Sequence, residues 1–398
     1  YLGSPTERAS QRDPGSLLRN VRGGNILKET PMTSLHPPLC DLLGIKYPIV
    51  LAGMGSWGMG TPPSLVAAVS NAGGLGVLGC SNLTPKEVEE RIREVRRLTD
   101  KPFGVDLLLP ASLKQAPGSR AAVRQEIRDN HPEHWAFLEE LHRQFDIPER
   151  PFQHDHVISA ELIAQQIEVT LNERVPVFAA GLGDPAIVVP RAREIGMKVM
   201  GVCGSPRNAV RQVKAGVDAI IAQGTEGGGH TGQIASFALL PQVVDAAGDI
   251  PVLGAGGISD GRGIAASLAL GAQGVWVGTA FLVADEGGLP DALKDQIVDA
   301  STSDMRISPY WTGKTVRAVQ NDVAKAWDAS GLPSLPTPHQ RVLMEDFKEA
   351  AMAAGRFEIT MNAGGQGAGM ITKRRPAAEI FTGLVEETRK SLDRLGRI

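Results

Sequence analysis

PVLGAGGISD, Pro251 to Asp260, sets a proline at the head of a short apolar run and glycines at its far end. Proline is tolerated at the first position of a strand, and small residues after it leave backbone N–H groups open to a ligand. The same form recurs as PIVLAGMG from Pro48 and PVFAAGLG from Pro176. Five further apolar runs of strand length begin near Leu75, Phe103, Lys198, Asp218 and Gly274, which makes eight. Between most of them lies a helix-like segment. One is Pro85 to Leu98, with acidic residues early and basic residues late, as the helix dipole favours.

Short strands alternating with helices predict parallel βαβ units. Their starts are roughly 20 to 33 residues apart, except for a gap of about 73 between the third and fourth, too long for a plain connection. The pattern predicts an α/β fold, a TIM (β/α)8 barrel with a helical insertion after strand 3 and a C-terminal helical extension. A doubly wound open sheet is the competing arrangement, disfavoured because no dinucleotide fingerprint follows the first strand. The expected organisation is an extended or partly disordered leader over 1–40, a barrel over 41–290 with the insertion at about 111–156, and a C-terminal helical cap with a glycine-rich loop over 291–398. That loop is NAGGQGAGMI, from Asn362.

Composition narrows the function classes. With 398 residues, 42% hydrophobic and 21% charged, the chain can bury a large core, and its net charge of -3 gives no general pull toward nucleic acid or acidic membranes. Apolar runs fall short of a membrane span. The three cysteines, Cys40, Cys80 and Cys203, are far apart and suggest neither a disulfide framework nor a zinc set. A cytoplasmic setting is expected, and apolar outer helices would allow a homodimer. The insertion holds five of the eight histidines. His131 with His134, or His154 with His156, would be the nearest thing to a metal pair, but no completing ligand follows and no metal is expected.

Barrel active sites form on the loops after the strands, and phosphate commonly sits after strands seven and eight. Gly256 and Gly257 follow the seventh strand, Gly278 and Thr279 the eighth; together they predict a phosphate cradle, against the bland alternative of tight turns. After the first strand, Gly53, Met54 and Gly55 offer bare backbone against which a flat ring could lie. After the sixth, AQGTEGGGHTG places Gln223 at the strand end and three glycines before His230. A histidine on that face is a candidate acid–base group.

The ordered set PIVLAGMG, GVDLLL, AQGTEGGGHTG, PVLGAGGI, GVWVGTAF and GGQGAGMI resembles the nitronate monooxygenase family, formerly 2-nitropropane dioxygenases. The resemblance implies an FMN-dependent oxidoreductase acting on a small-molecule substrate with dioxygen, with His230 as catalytic base. It further implies Gly53, Met54 and Gly55 against the flavin ring, Asp106 near it, Gln223, Gly228 and Gly229 along the cofactor, and Gly256, Gly257, Gly278 and Thr279 on its phosphate. Two positions depart from the family pattern. Asp106 stands where asparagine is frequent, bringing a carboxylate toward the flavin, and Gly227 stands where alanine is usual. The implied reaction is oxidation of alkyl nitronates or nitroalkanes to a carbonyl compound and nitrite. An NAD(P)H-using FMN reductase of an enoyl thioester or quinone is the alternative within the same resemblance, and a non-catalytic phosphate-ligand-binding or scaffold protein is the alternative outside it.

Overall fold

The computed structural model describes residues 35–55, 59–109, 119–150, 155 and 157–398. Trp57, whose place near the first glycine loop suits a packing residue and a substrate wall equally, lies outside them, as do His154, His156 and residues 1–34 of the leader. Eleven strands are described: β1 (Ile49–Leu51), β2 (Gly76–Gly79), β3 (Phe103–Leu108), β4 (Val177–Gly181), β5 (Lys198–Cys203), β6 (Ala219–Gln223), β7 (Gly229–His230), β8 (Val252–Ala255), β9 (Gly274–Val277), β10 (Met305–Ser308) and β11 (Val316–Val319). All eight strands expected from sequence are present. They form one parallel sheet in the order β1-β9-β8-β6-β5-β4-β3-β2. A parallel bridge from Val50 to Leu75 joins its two ends, with Leu51 N–H donating to Leu75 O at 2.8 Å. The sheet is therefore closed, and the fold is a TIM barrel.

Residues alternate between two apolar surroundings along each strand, which is why these strands read as unbroken apolar runs. Val50, Val77, Ala179, Met200, Ile221 and Leu253 fill the barrel interior, while Ile49, Leu78, Val105, Phe178 and Ile220 pack under the helices. Helix Pro85–Leu98 shows how sequence sets the outer layer. Thr84 and Glu87 close a capping box at its start, and Val88, Ile92 and Val95 share one buried stripe. The last residues of the stretch assigned to the leader are ordered: helix Pro38–Leu43 sends Leu39, Cys40 and Leu43 into the interior cluster. Leu39 lies against Gly274, the first residue of β9, where any side chain would collide with it. The helix thus closes the barrel end opposite the catalytic loops.

A second core lies outside the barrel. Insertion helices Arg120–Asn130 and Pro132–Gln144 share it with Tyr310, Trp311, Trp327 and helix His339–Ala353, so insertion and C-terminal cap are one structural layer. Arg120, fully buried, ties them: its Nε donates to Asp346 at 2.9 Å and its Nη1 to Glu349 at 2.7 Å. The final helix, Ala377–Leu395, does not belong to that layer. It packs Ile380, Phe381, Leu384 and Val385 into the outer barrel core, over Gly261, where even a methyl group would strike its backbone.

Candidate active site

All twelve residues singled out by sequence converge on one cavity of about 290 Å³ at the C-terminal ends of the strands. The loop after β1 brings Gly53, Met54 and Gly55, β3 brings Asp106, and β6 with its loop brings Gln223, Gly228, Gly229 and His230. The loops after β8 and β9 bring Gly256, Gly257, Gly278 and Thr279. The cap supplies the opposite wall, with Trp311, Thr312, Arg341, Met344, Glu345 and Lys348.

Backbone shape explains the glycines. Gly256 and Gly257 take φ of +94° and +72°, left-handed values that side chains rarely adopt. Their N–H groups, and that of Gly278, have no backbone acceptor among the described residues. Three open amides on adjacent loops suit an oxyanion. The helix after β8 adds less than expected. Asp260 caps it, accepting from Arg262 N–H at 2.9 Å and Gly263 N–H at 3.2 Å, so its N-terminus is already occupied. Gly228 is crowded instead: a methyl there would lie 2.5 Å from Gly364 C and 2.6 Å from Gly365 N. The late glycine-rich loop therefore lies directly on it, held by Gly365 N–H donating to Thr279 Oγ1 at 2.9 Å and Gln366 N–H donating to Glu226 O at 2.9 Å. Beside Gly229 the space is open.

Thr61, which no motif marked, fixes the first loop. Its buried hydroxyl accepts from Met54 N–H at 3.1 Å and Gly79 N–H at 2.8 Å. His230 is placed by β7, which pairs antiparallel with β11 through His230 opposite Val316. Gln223 Nε2 donates to the His230 carbonyl at 2.7 Å, joining the end of β6 to that strand. The imidazole Nε2 lies 3.2 Å from Thr312 Oγ1. Thr312 Oγ1 also lies 3.2 Å from Lys314 O, and a hydroxyl that donates there accepts from Nε2–H, the tautomer in which Nδ1 keeps its lone pair. Burial, then the positive charges of Arg341 and Lys314, push the imidazole pKa down to about 4. At neutral pH it is an unprotonated base.

Asp106 corrects the expectation of a negative charge near the flavin. Burial pushes its carboxyl well above the usual carboxylate range, and the Gly181 amide offsets only part of this. Oδ1 has no hydrogen-bond partner among the described residues. The group favours its neutral acid form, which resembles the asparagine it replaces more closely than a carboxylate does. Ser259 Oγ, also lining the cavity, is a second buried polar atom without a partner. On the insertion, His131, Glu133 and His134 lie within ligand distance of one another, but His134 Nε2 is spent on Pro333 O at 2.7 Å and none of the three lines the cavity.

The family model described as nitronate monooxygenase matches residues 36–387. The chain belongs to the nitronate monooxygenase family. A Staphylococcus aureus protein named "Probable nitronate monooxygenase" is 32% identical over 362 residues, spanning 88% of this chain and 96% of its own. Nitroalkane oxidase from Streptomyces ansochromogenes superposes with a TM-score of 0.76 at 31% identity, covering 90% of this chain and 99% of that one. FabK from Thermotoga maritima gives 0.72 at 31% identity, covering 91% and 99%. The chain is accordingly an oxidoreductase of a flavoprotein family. No helix among the described residues is long and apolar enough to cross a membrane.

Proposed function

We propose that the chain is an FMN-dependent nitronate monooxygenase, converting alkyl nitronates or their parent nitroalkanes and dioxygen to a carbonyl compound and nitrite. The observation that carries this reading is the imidazole of His230, kept unprotonated at neutral pH beside bare glycine backbone and the positive charge of Arg341. The residues present fit FMN. Gly256, Gly257 and Gly278 would hold its phosphate through their open amides, with Thr279 beside them. Gly53, Met54 and Gly55 would face its ring, Asp106 would lie near that ring in its neutral form, and Gln223, Gly228 and Gly229 would run along the cofactor. FMN when bound supplies the redox chemistry, taking reducing equivalents from the nitronate and passing them to dioxygen.

The chain supplies the proton chemistry and the field. His230 Nδ1, the nitrogen that Thr312 leaves free, takes the acidic α-proton of a nitroalkane. Negative charge then develops on the nitro oxygens, and Arg341 stabilises it electrostatically. A substrate arriving as the nitronate needs no deprotonation and uses the same field. The glycine-rich loop over Gly228 and the cap helix limit water at the reacting end.

The test begins with the visible spectrum of the purified protein, which should show a flavin band. His230→Asn should keep that band while turnover of the neutral nitroalkane falls about 100- to 10,000-fold. Turnover of the preformed nitronate should fall much less. Undiminished turnover of the nitroalkane would remove the assignment of the base.

The likeness to FabK favours a second reading, an NAD(P)H-using reductase of an enoyl thioester or quinone. Anaerobic bleaching of the flavin by NADH or NADPH, without bleaching by a nitronate, would select it.

A further inference from the structure

Spacing alone gives His131 and His134 no completing ligand; the fold supplies one in Glu133. The three offer ligand atoms that all lie within 4.8 Å of one another, where helix Arg120–Asn130 turns into helix Pro132–Gln144. His131 serves both helices, its N–H donating to Ile127 O at 2.9 Å while its carbonyl accepts from His134 N–H at 3.0 Å. Pro132 follows and restricts the backbone further. Because the end of one helix meets the start of the next, their opposed dipoles leave no strong field against a cation.

His134 carries the argument. It is buried, with 1% exposure, and its ring centroid lies 6.2 Å from that of Trp327 in the second core. Its Nε2 meets Pro333 O at 2.7 Å, and since a carbonyl only accepts, Nε2 holds a ring proton. Nδ1 is left as a buried atom without a hydrogen-bond partner among the described residues. A histidine that only filled the core would have both nitrogens satisfied. A metal-binding histidine has this arrangement instead, one nitrogen donating to a backbone carbonyl and the other open to the ion. Glu133 Oε1 lies 3.3 Å from Nδ1. Zinc bonds of about 2.0 to 2.2 Å at the tetrahedral angle put neighbouring ligand atoms about 3.3 to 3.6 Å apart, so this edge of the site already has its bound length.

We infer that His131, Glu133 and His134 bind one zinc ion, with water in the fourth position. The donor set selects the ion: two imidazoles and a single carboxylate suit zinc, whereas magnesium and calcium take oxygen donors. Glu133 is exposed and His131 half-buried, which gives the ion an entry from solvent and leaves these two side chains free to close on it. The ion would also brace the cap. Pro333, bonded to His134, lies just before helix His339–Ala353, and the His131 and His339 rings meet edge to face at 6.4 Å. His339 is not counted as a ligand, because its Nε2 pairs with Glu126 at 2.8 Å.

The test uses the flavin-loaded protein, stripped with EDTA and gel-filtered, and zinc sulfate as the probe. Calorimetric titration should show one saturable zinc site per chain, with which magnesium does not compete. Cobalt(II) in place of zinc should give the visible d–d bands of a site with few ligands, and zinc should abolish them. His131→Ala and Glu133→Gln should each weaken zinc binding by at least about 10- to 100-fold, the loss that removing even a supporting partner causes. Both side chains reach solvent, so both variants should keep their flavin and the melting temperature of the metal-free wild type. Zinc should raise that temperature in the wild type and not in the variants.

No saturable zinc binding by the wild type overturns the inference and leaves His134 and Glu133 an ordinary pair. Binding that survives both substitutions overturns it too, and its loss in a His154→Ala, His156→Ala double variant would assign the ion to the other histidine pair. If one single variant fails to fold, the other decides alone. None of these results depends on the reaction proposed for the cavity.

Discussion

The role proposed for His230 depends on what surrounds it. An ordinary histidine is half protonated near pH 6.5, but burial and the neighbouring positive charges bring this one to about 4. Because the folded value is depressed, the neutral form that the proposed reaction requires persists as pH falls below 6.5 and is lost only as pH drops through about 4. The expected profile of kcat/KM on a neutral nitroalkane is therefore flat on its acid side down to about pH 5. A stopped assay between pH 3.5 and 8 reads this directly. An inflection near 6.5 would mean that burial, with the charges of Arg341 and Lys314, does not depress the imidazole as the geometry requires. His230 is visible in sequence because three glycines precede it after a strand, whereas Thr312, which its imidazole meets, lies 82 positions away and carries no motif.

At the scale of elements, the barrel strands were legible because proline and glycine punctuate runs that are apolar on both faces. The small sheet of β7, β11 and β10 was not, since its strands have two to four residues and too little alternation to register. That sheet nevertheless aims His230. The late glycine-rich loop was recognised as part of the resemblance, but its place on Gly228 depends on a contact across more than a hundred residues. Gly228→Ala tests that contact. The added methyl meets backbone, not a movable side chain, so the loop must lift away. The variant should fold, lose flavin on dilution or gel filtration, and bind FMN about tenfold or more weakly when titrated. Retention of flavin equal to the wild type would show that the loop is not a wall of the cofactor site.

At the scale of the whole molecule, the barrel and the second core meet at the cavity, and the cap helix brings the second core to it. One face of it carries Arg341, Glu345 and Lys348 into the site; another carries Asp346 and Glu349 to Arg120 of the insertion. In the sequence the insertion shows only as a helical segment after strand 3, because the partners of Arg120 lie more than two hundred residues downstream. Arg120 and Arg124 pair with Asp346 and Glu349 and hold the wall from behind. Truncating one partner of a buried ion pair leaves the others uncompensated, so Arg120→Ala should cost about 3 to 5 kcal/mol in stability by chemical denaturation. The same substitution should raise KM more than it lowers kcat, because the wall moves while His230, held by β7 and β11, does not. Steady-state kinetics at a temperature where the variant remains folded separates the two effects. An unchanged KM alongside the lost stability would confine the insertion to a structural role and leave the charged wall to be positioned by the barrel alone.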